Sequence, residues 1–359
     1  MIEISLCMIV KNEESDLGRI LEAMKDIADE IIIVDTGSSD NTKDIASGYT
    51  SMIYDYEWDD DFAAARNFAC SKATKDYWMW LDADDMITAE NQQKLKILKK
   101  TLDPDIDVVM MKYLVGFDKN GNVNFSYYRE RMMKRAKGFV WDGRVHETIV
   151  PAGHIFYSDV EVEHRKTKPG DPDRNINIYE DMIGKGEKFT PRHCFYYGRE
   201  LYYHERYAEA ADVFEGFLNM PDGWKENKID ACMQMAFCYE KMNEPEKRLR
   251  SLFHSLEYDA PRAALCCEIG RFFMEKKEYE TAVYWYEQAL SAPDKSREGG
   301  FEQKDYHDYI PLIQICVCYD RMGDHHRAWQ YHLRTAVVKP ASEAVAKNQK
   351  YFEHLFSES

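Results

Sequence analysis

Asp82, Asp84 and Asp85 stand within four positions of one another, directly after the apolar run YWMWL at 77–81. Carboxylates crowded at the end of a buried strand repel each other unless a compensating charge joins them. Asp82 and Asp84 are two apart and can address one point beyond that strand end. A divalent Mg²⁺ or Mn²⁺ takes a few carboxylate oxygens and shares its remaining positions with water and phosphate oxygens. The chemistry served would be the holding of a metal diphosphate: the strand anchors, the carboxylates bind. An isolated Asp-x-Asp is also the pattern of an acidic turn that caps a helix, so its surroundings must decide.

Further along, KGFVWDGRVHETIV (137–150) presents His146 beside Glu147, a carboxylate suited to take a proton as general base. VEVEHRKTKPG (160–170) offers His164, then Arg165, Lys166 and Lys168. This local basic patch stands out because Lys plus Arg total 47 against 64 Asp plus Glu, a net charge of −17. Such a surface argues against non-specific binding to nucleic acid or to an anionic membrane. A phosphate ligand therefore needs a local pocket of this kind. Arg131 and Arg135, in RERMMKR, either face the same pocket or are solvated charges. Trp58 and Trp141 either line a sugar or acceptor site or pack in the core.

These residues need a scaffold. ISLCMIV (4–10) and EIIIVDT (30–36) are short apolar runs of the kind that form strands covered on both faces. Between them, SDLGRILEAMKDIA (15–28) sets Leu17, Ile20, Leu21, Met24 and Ile27 at helical spacing. MIYDYEW (52–58) reads as a third strand, DFAAARNFACSKA as a helix, and YWMWL as a fourth strand. Ser39 or Asp40 is expected to cap the helix that starts within SDNTKDIASGY. The alternation predicts an α/β domain with a mostly parallel, Rossmann-like sheet over residues 1–185. Ligands of such sheets bind beyond the carboxyl ends of the strands.

The texture changes to helices alone over 186–359. ERYAEAADVFEGFL (205–218), NEPEKRLRSLFHSL (243–256), KEYETAVYWYEQAL (277–290) and GDHHRAWQYHLRTA (323–336) share one layout, each preceded by another amphipathic helix. Small residues, Gly198, Ala236, Gly270 and Cys316, recur where paired helices must approach closely. These units of about forty residues resemble tetratricopeptide repeats, with an insertion at 291–305. Such repeats stack into a solenoid with a concave surface. That surface suits a peptide, a protein or a second copy of the chain, although most of its aromatics are expected to be packing between helices.

Nine cysteines without a CxxC pair read as reduced thiols of a cytoplasmic protein. No apolar run is long enough for a signal peptide or a membrane span.

Taken together, MIVKNEE (8–14), VDTGSSDNT (34–42), DFAAARNFA (61–69) and the Asp82–Asp85 cluster resemble family-two glycosyltransferases of the GT-A fold. The resemblance covers roughly residues 1–180. With the repeats included, the chain is similar to bacterial peptide and protein glycosyltransferases, among them bacteriocin S-glycosyltransferases. It implies an inverting, metal-dependent transferase that uses Mn²⁺ or Mg²⁺ and a nucleotide-sugar, with UDP-sugar favoured, and modifies a peptide or protein. In that family Asp35 would read the uracil ring, and Lys11 and Glu13 would cup the nucleotide. Arg66 would support nucleotide or diphosphate, Asp82 ribose and metal, and Asp84 the metal. His164 would complete the metal shell or touch the diphosphate, with Arg131 a further nucleotide contact. Relatives carry an acidic pair where this chain has His146-Glu147. Glu147 is expected to be the base, with His146 its orienting neighbour or the alternative base. Two other readings stand beside this one: a transferase acting on a cell-surface or lipid-linked glycan, and a repeat scaffold with a degenerate nucleotide domain.

Overall fold

ISLCMIV forms β1 (Ile4–Val10) in a computed structural model that describes residues 1–117, 121, 123–165, 167, 170–293, 295 and 303–357. Side chains alternate across a strand, and here both sides are apolar. Ile4, Leu6, Met8 and Val10 enter one core, whereas Cys7 enters the core on the opposite face. The first core receives α1 (Leu17–Met24) and α4 (Ala89–Thr101), through Leu17, Ile20, Leu21, Leu95 and Leu98. Burying a side chain of this size contributes roughly 1.5–3 kcal/mol.

The opposite face receives α3 (Phe62–Ser71), capped by Asp61, whose side chain accepts from the amide of Ala64. Its buried residues are Ala63, Ala65, Arg66 and Ala69. Three alanines let this helix lie close to the sheet, so that the one long residue among them is directed to the sheet's edge.

The remaining strands are β2 (Glu30–Asp35), β3 (Ile53–Asp55), β4 (Tyr77–Trp80), β5 (Asp85–Met86), β6 (Val108–Phe117), β7 (Val123–Lys134) and β8 (Ile155–His164). The helix α2 (Thr42–Ser47) follows β2, and α5 (Arg174–Gly184) follows β8. The sheet order is β3-β2-β1-β4-β7-β6-β8-β5. Its first half is parallel throughout, and β6 also pairs parallel with β8. The antiparallel pairs are β4–β7, β6–β7 and β5–β8.

The chain divides into two compact units, Met1–Glu187 and Lys188–Ser359. The second is helical. It comprises α6 (Pro191–Tyr203), α7 (Tyr207–Leu218), α8 (Lys225–Lys241), α9 (Pro245–His254), α10 (Ala263–Glu275), α11 (Tyr279–Ser291), α12 (Tyr309–Arg321), α13 (His325–Val338) and α14 (Glu343–Ser357). Four successive helix pairs, from α6/α7 to α12/α13, are the repeats. The small residues do what their spacing implied. A Cβ on Gly198 would sit 2.7 Å from the Phe214 ring, and one on Gly270 would sit 3.0 Å from Tyr286. Ala236 packs with Leu252, and Cys316 with Ala328. All nine cysteines are free thiols, seven of them buried. Much of the 291–305 insertion lies outside the described residues. Among the described residues no helix is long and apolar enough to cross a membrane.

Candidate active site

The carboxyl ends of β1, β2 and β4 open onto a cavity of about 480 Å³, a size usual for small-molecule sites. Lys11 and Glu13 line it after β1, Thr36 after β2, and Asp82 and Asp84 after β4. Trp58, Arg66, Arg129, Glu147, His164 and Arg174 supply other parts of the wall.

Asp35 ends β2 behind Thr36 and is buried. Its Oδ1 accepts from the amides of Gly37 and Ser38 at 3.0 and 2.9 Å, while Oδ2 is buried without a hydrogen bond. An unpaired polar atom of this kind costs roughly 1–3 kcal/mol, a debt that an N–H on a ligand can cancel. The N-cap position of α2 is Asn41, not Ser39 or Asp40 as expected; Asp40, one residue earlier, accepts from the amide of Thr42 at 3.0 Å. Ser39 instead donates to Asn12.

The acidic cluster divides its work differently from expectation. Asp82, expected on the metal beside Asp84, is engaged at Oδ1 by Arg66 Nη2 at 2.8 Å. The ligand atoms that converge, all within 4.8 Å of one another, belong to Asp84, Asp85 and His164. The cause is strand register: β5 pairs antiparallel with the end of β8 and sets Asp85 opposite His164. Asp85 is fully buried, and its Oδ2 accepts from Arg131 Nη1 at 2.9 Å and from the Asp82 amide at 3.0 Å. Its Oδ1 has no hydrogen bond. His164 Nδ1 lies 3.0 Å from the Tyr113 hydroxyl, 3.5 Å from Asp84 and 4.0 Å from Asp85. Two carboxylates and an imidazole, with one buried carboxylate oxygen unpaired, fit a divalent cation.

The same packing sets the electrostatics. Burial pushes the Asp85 carboxyl above its ordinary range; Arg131 pulls it back and Asp82 pushes it further up. Burial acts on Asp82 too, but there Arg66 and then Arg131 prevail and hold it low. The hydrogen bond to Asp84 raises the His164 imidazole against the opposing effect of burial.

Arg131, expected at the nucleotide, lies behind the site instead. Its side chain is 0% exposed, and its guanidinium carbon is 3.9 Å from the Trp80 ring centroid and 4.3 Å from that of Tyr113. A cation that deep is tolerated because Asp85 neutralises it. The arginine of β7 that lines the cavity is Arg129. Arg135 donates to the Lys75 carbonyl, away from the cavity.

Arg66 is the junction between the two acidic groups. Its Nε donates to Glu147 Oε1 at 2.7 Å while its Nη2 holds Asp82. Its guanidinium carbon is 4.9 Å from each of the Trp80 and Trp141 ring centroids. Burial works against its charge, yet Asp82 and Glu147 outweigh it and keep the guanidinium firmly protonated. Trp141 is thus a buried prop and Trp58 a wall residue. His146 lines the cavity with a left-handed φ of 52°, its ring stacked on Tyr179 of α5. Arg165 pairs with Glu163. Lys166 and Lys168 lie outside the described residues.

Sequence reasoning passed over Asp85 as a ligand, and Arg129 and Arg174 as wall residues. Asp85 was visible as the third acid of its cluster. A larger opening of about 860 Å³ lies in the second unit, where Tyr319, His326 and Phe356 meet. Among the described residues no metal-ligating trio converges there.

Residues 5–161 match the family model of Glycosyl transferase family 2. The SPbeta prophage-derived glycosyltransferase SunS of Bacillus subtilis is 31% identical over 226 residues, 59% of this chain and 52% of that protein. A TPR repeat-containing protein of Synechococcus elongatus is 44% identical over 96 residues, 27% of this chain and 24% of that protein. The chain spans about half the length of SunS, and less of the Synechococcus protein. Among solved structures, the crystal structure of MamA protein aligns with a TM-score of 0.38 at 14% identity, covering 48% of this chain and 84% of that one.

Proposed function

From a family 2 glycosyltransferase domain joined to tetratricopeptide-like repeats, we propose that this protein is an inverting, metal-dependent glycosyltransferase. It moves a sugar from a nucleotide-sugar, with UDP-sugar favoured, to a peptide or protein engaged by the repeats. The observation that carries the reading is one cavity in which Asp82, Asp84, His164, Arg66 and Glu147 meet at the strand ends of the matched domain.

Each part of the donor has a partner of suitable chemistry. The unpaired Oδ2 of Asp35 accepts the N3–H of uracil, and Lys11 and Glu13 cup the nucleotide. Asp82 addresses the ribose. Arg129 and Arg174 add cationic wall toward the diphosphate. Asp84 and His164, with Asp85 beside them, would hold a divalent cation, which would supply neutralisation of the charge that builds on the leaving diphosphate. Glu147 takes the proton of the acceptor hydroxyl or thiol as that atom attacks the anomeric carbon from the face opposite the diphosphate. The new bond forms as the carbon–oxygen bond to the diphosphate breaks, and the nucleoside diphosphate leaves with that electron pair. His146 orients Glu147 or is the alternative base. The reaction belongs in the cytoplasm, where nucleotide-sugars are available.

A peptide acceptor is supported by the repeats, whose stacked helix pairs offer a surface suited to one. A glycan acceptor is the second reading: the lipopolysaccharide core biosynthesis glycosyltransferase LpsC of Rhizobium meliloti is 28% identical over 159 residues.

The test is thermal shift with UDP-, GDP-, CDP- and dTDP-sugars, each with and without Mn²⁺. A ligand that binds only the native state raises its melting temperature. A shift with a UDP-sugar that needs Mn²⁺ and disappears in Asp84→Ala is expected. No shift with any of the four classes would sink the reading.

A further inference from the structure

The group proposed as base sits on a loop with little structure of its own. Residues 142–148 are closed at the neck by reciprocal amide hydrogen bonds between Asp142 and Thr148. Glu147 has no strand or helix to aim it, and the backbone beside it is left-handed at His146. A left-handed histidine persists only where the surroundings over-determine it.

Much of that determination comes from α3. The Phe62 amide donates to the Arg144 carbonyl at 2.8 Å. One turn on, Arg66 bonds Glu147 itself. Next to it, Asn67 clasps the backbone of Trp141 from both sides: its Nδ2 donates to the Trp141 carbonyl at 2.9 Å, and its Oδ1 accepts from the Trp141 amide at 2.8 Å. An amide side chain is suited to this, having one donor end and one acceptor end. Arg144 adds a tie to Glu187 at 2.8 Å.

Asn67 lines no part of the cavity. It meets the main chain of Trp141, whose ring is one of the two that flank Arg66. Its effect on chemistry passes through Trp141, to the loop that follows and to the ring beside Arg66.

We propose that Asn67 is a positioning residue for transfer, fixing through Trp141 the loop on which Glu147 acts. The proposal rests on the glycosyltransferase reading and on Glu147 as its base. A displacement of about 1 Å in a reacting group can cost on the order of 100-fold in rate. Asn67→Ala should therefore lower kcat by about 10- to 100-fold and leave UDP affinity nearly unchanged, because Asp35, Lys11 and Asp84 are untouched. Asn67→Asp keeps the acceptor for the Trp141 amide and loses the donor, so it should recover part of the loss.

The experiment measures UDP release from UDP-glucose and UDP-N-acetylglucosamine with Mn²⁺, UDP binding by calorimetry, and amide hydrogen exchange over residues 142–148. Wild type, Asn67→Ala, Asn67→Asp and Glu147→Gln are compared. Reduced kcat with retained UDP affinity and faster exchange confined to the loop is the expected result. Unchanged kcat, unchanged loop exchange, or UDP affinity falling in step with kcat each overturns the proposal. If wild type releases no UDP, or Glu147→Gln is as active as wild type, the functional reading falls. Loop exchange in Asn67→Ala still decides whether Asn67 positions the loop.

Discussion

Both domains bury arginine against carboxylate, but they finish the job differently. In the repeat domain Arg271 bonds Glu240, Glu268 and Glu275, Arg248 reaches Glu275, and Arg262 bonds Glu226 and Asp259. Among the described residues of that domain, no buried carboxylate oxygen is left without a hydrogen bond. In the first domain those of Asp16, Asp35, Asp85 and Asp107 are. Asp16 Oδ1 and Asp107 Oδ1 face Arg19 at 3.5 Å and Lys137 at 3.2 Å, whereas Asp85 Oδ1 has His164 at 4.0 Å and Asp35 Oδ2 lies behind the cavity wall. Arg262 Nε of the repeat network is buried and unbonded too, so the contrast is confined to the carboxylates. A buried carboxylate oxygen with no partner asks for an explanation, and a ligand is one. The difference separates a charge network that holds helices together from one arranged to receive a guest.

The largest effect that would break this comparison lies at Glu147. Glu147→Gln keeps the size of the side chain and removes the proton acceptor. We expect kcat to fall by roughly 10²–10⁴-fold, with binding of UDP and Mn²⁺ retained. A transfer rate near wild type would return the loop to a purely structural role.

Next in size is the contrast between the two arginine networks. Arg131→Met leaves Asp85 buried beside an apolar side chain, and losing one partner of such a pair costs about 3–5 kcal/mol. Arg271 is 35% exposed and shares its load with Arg248, so Arg271→Met should cost only about 1 kcal/mol or less. Urea unfolding of the two variants measures this. Equal losses would mean that the buried pair is no more essential than the repeat network.

The smallest effect concerns pH. The imidazole of His164 is raised above its ordinary value by Asp84. In the metal-free protein its protonation therefore stabilises the fold below the ordinary value, a contribution lost as pH rises through the raised one. A metal needs the neutral ring, so Mn²⁺ affinity should climb with pH across that window by up to about tenfold per unit, then level off. Calorimetry from pH 6 to 8.5 tests it. A flat profile would take His164 out of the metal site.

Much of this was legible in the sequence. The apolar runs 4–10 and 30–36 located the strands, and the strand ends located Lys11, Glu13 and Asp84 at one opening. The share of Asp85 in the ligand cluster was not, because β5 is two residues long and carries no periodicity; only its pairing with β8 brings Asp85 to His164. Arg129 and Arg131 are two apart on β7, but the pairing with β6 skips Arg131 at a register shift, so alternation read from the sequence cannot say which reaches the cavity and which is buried. Packing against Trp80 and Tyr113 decides it. The role of Asn67 had a faint signal, its place beside Arg66 on an alanine-rich helix, but its partner stands 74 residues away.

That separation bears on the order in which the molecule assembles. The links from α3 to the loop of Glu147 close stretches of 74 and 81 residues, and distant contacts come late because chain entropy must be given up first. The residues proposed for the donor are no more local: β1 meets β4 across a stretch of similar length, and Asp85 meets His164 across another. Both sides of the cavity therefore wait on the same closure of the sheet, and a chain part-way through folding would hold neither side of the proposed site alone.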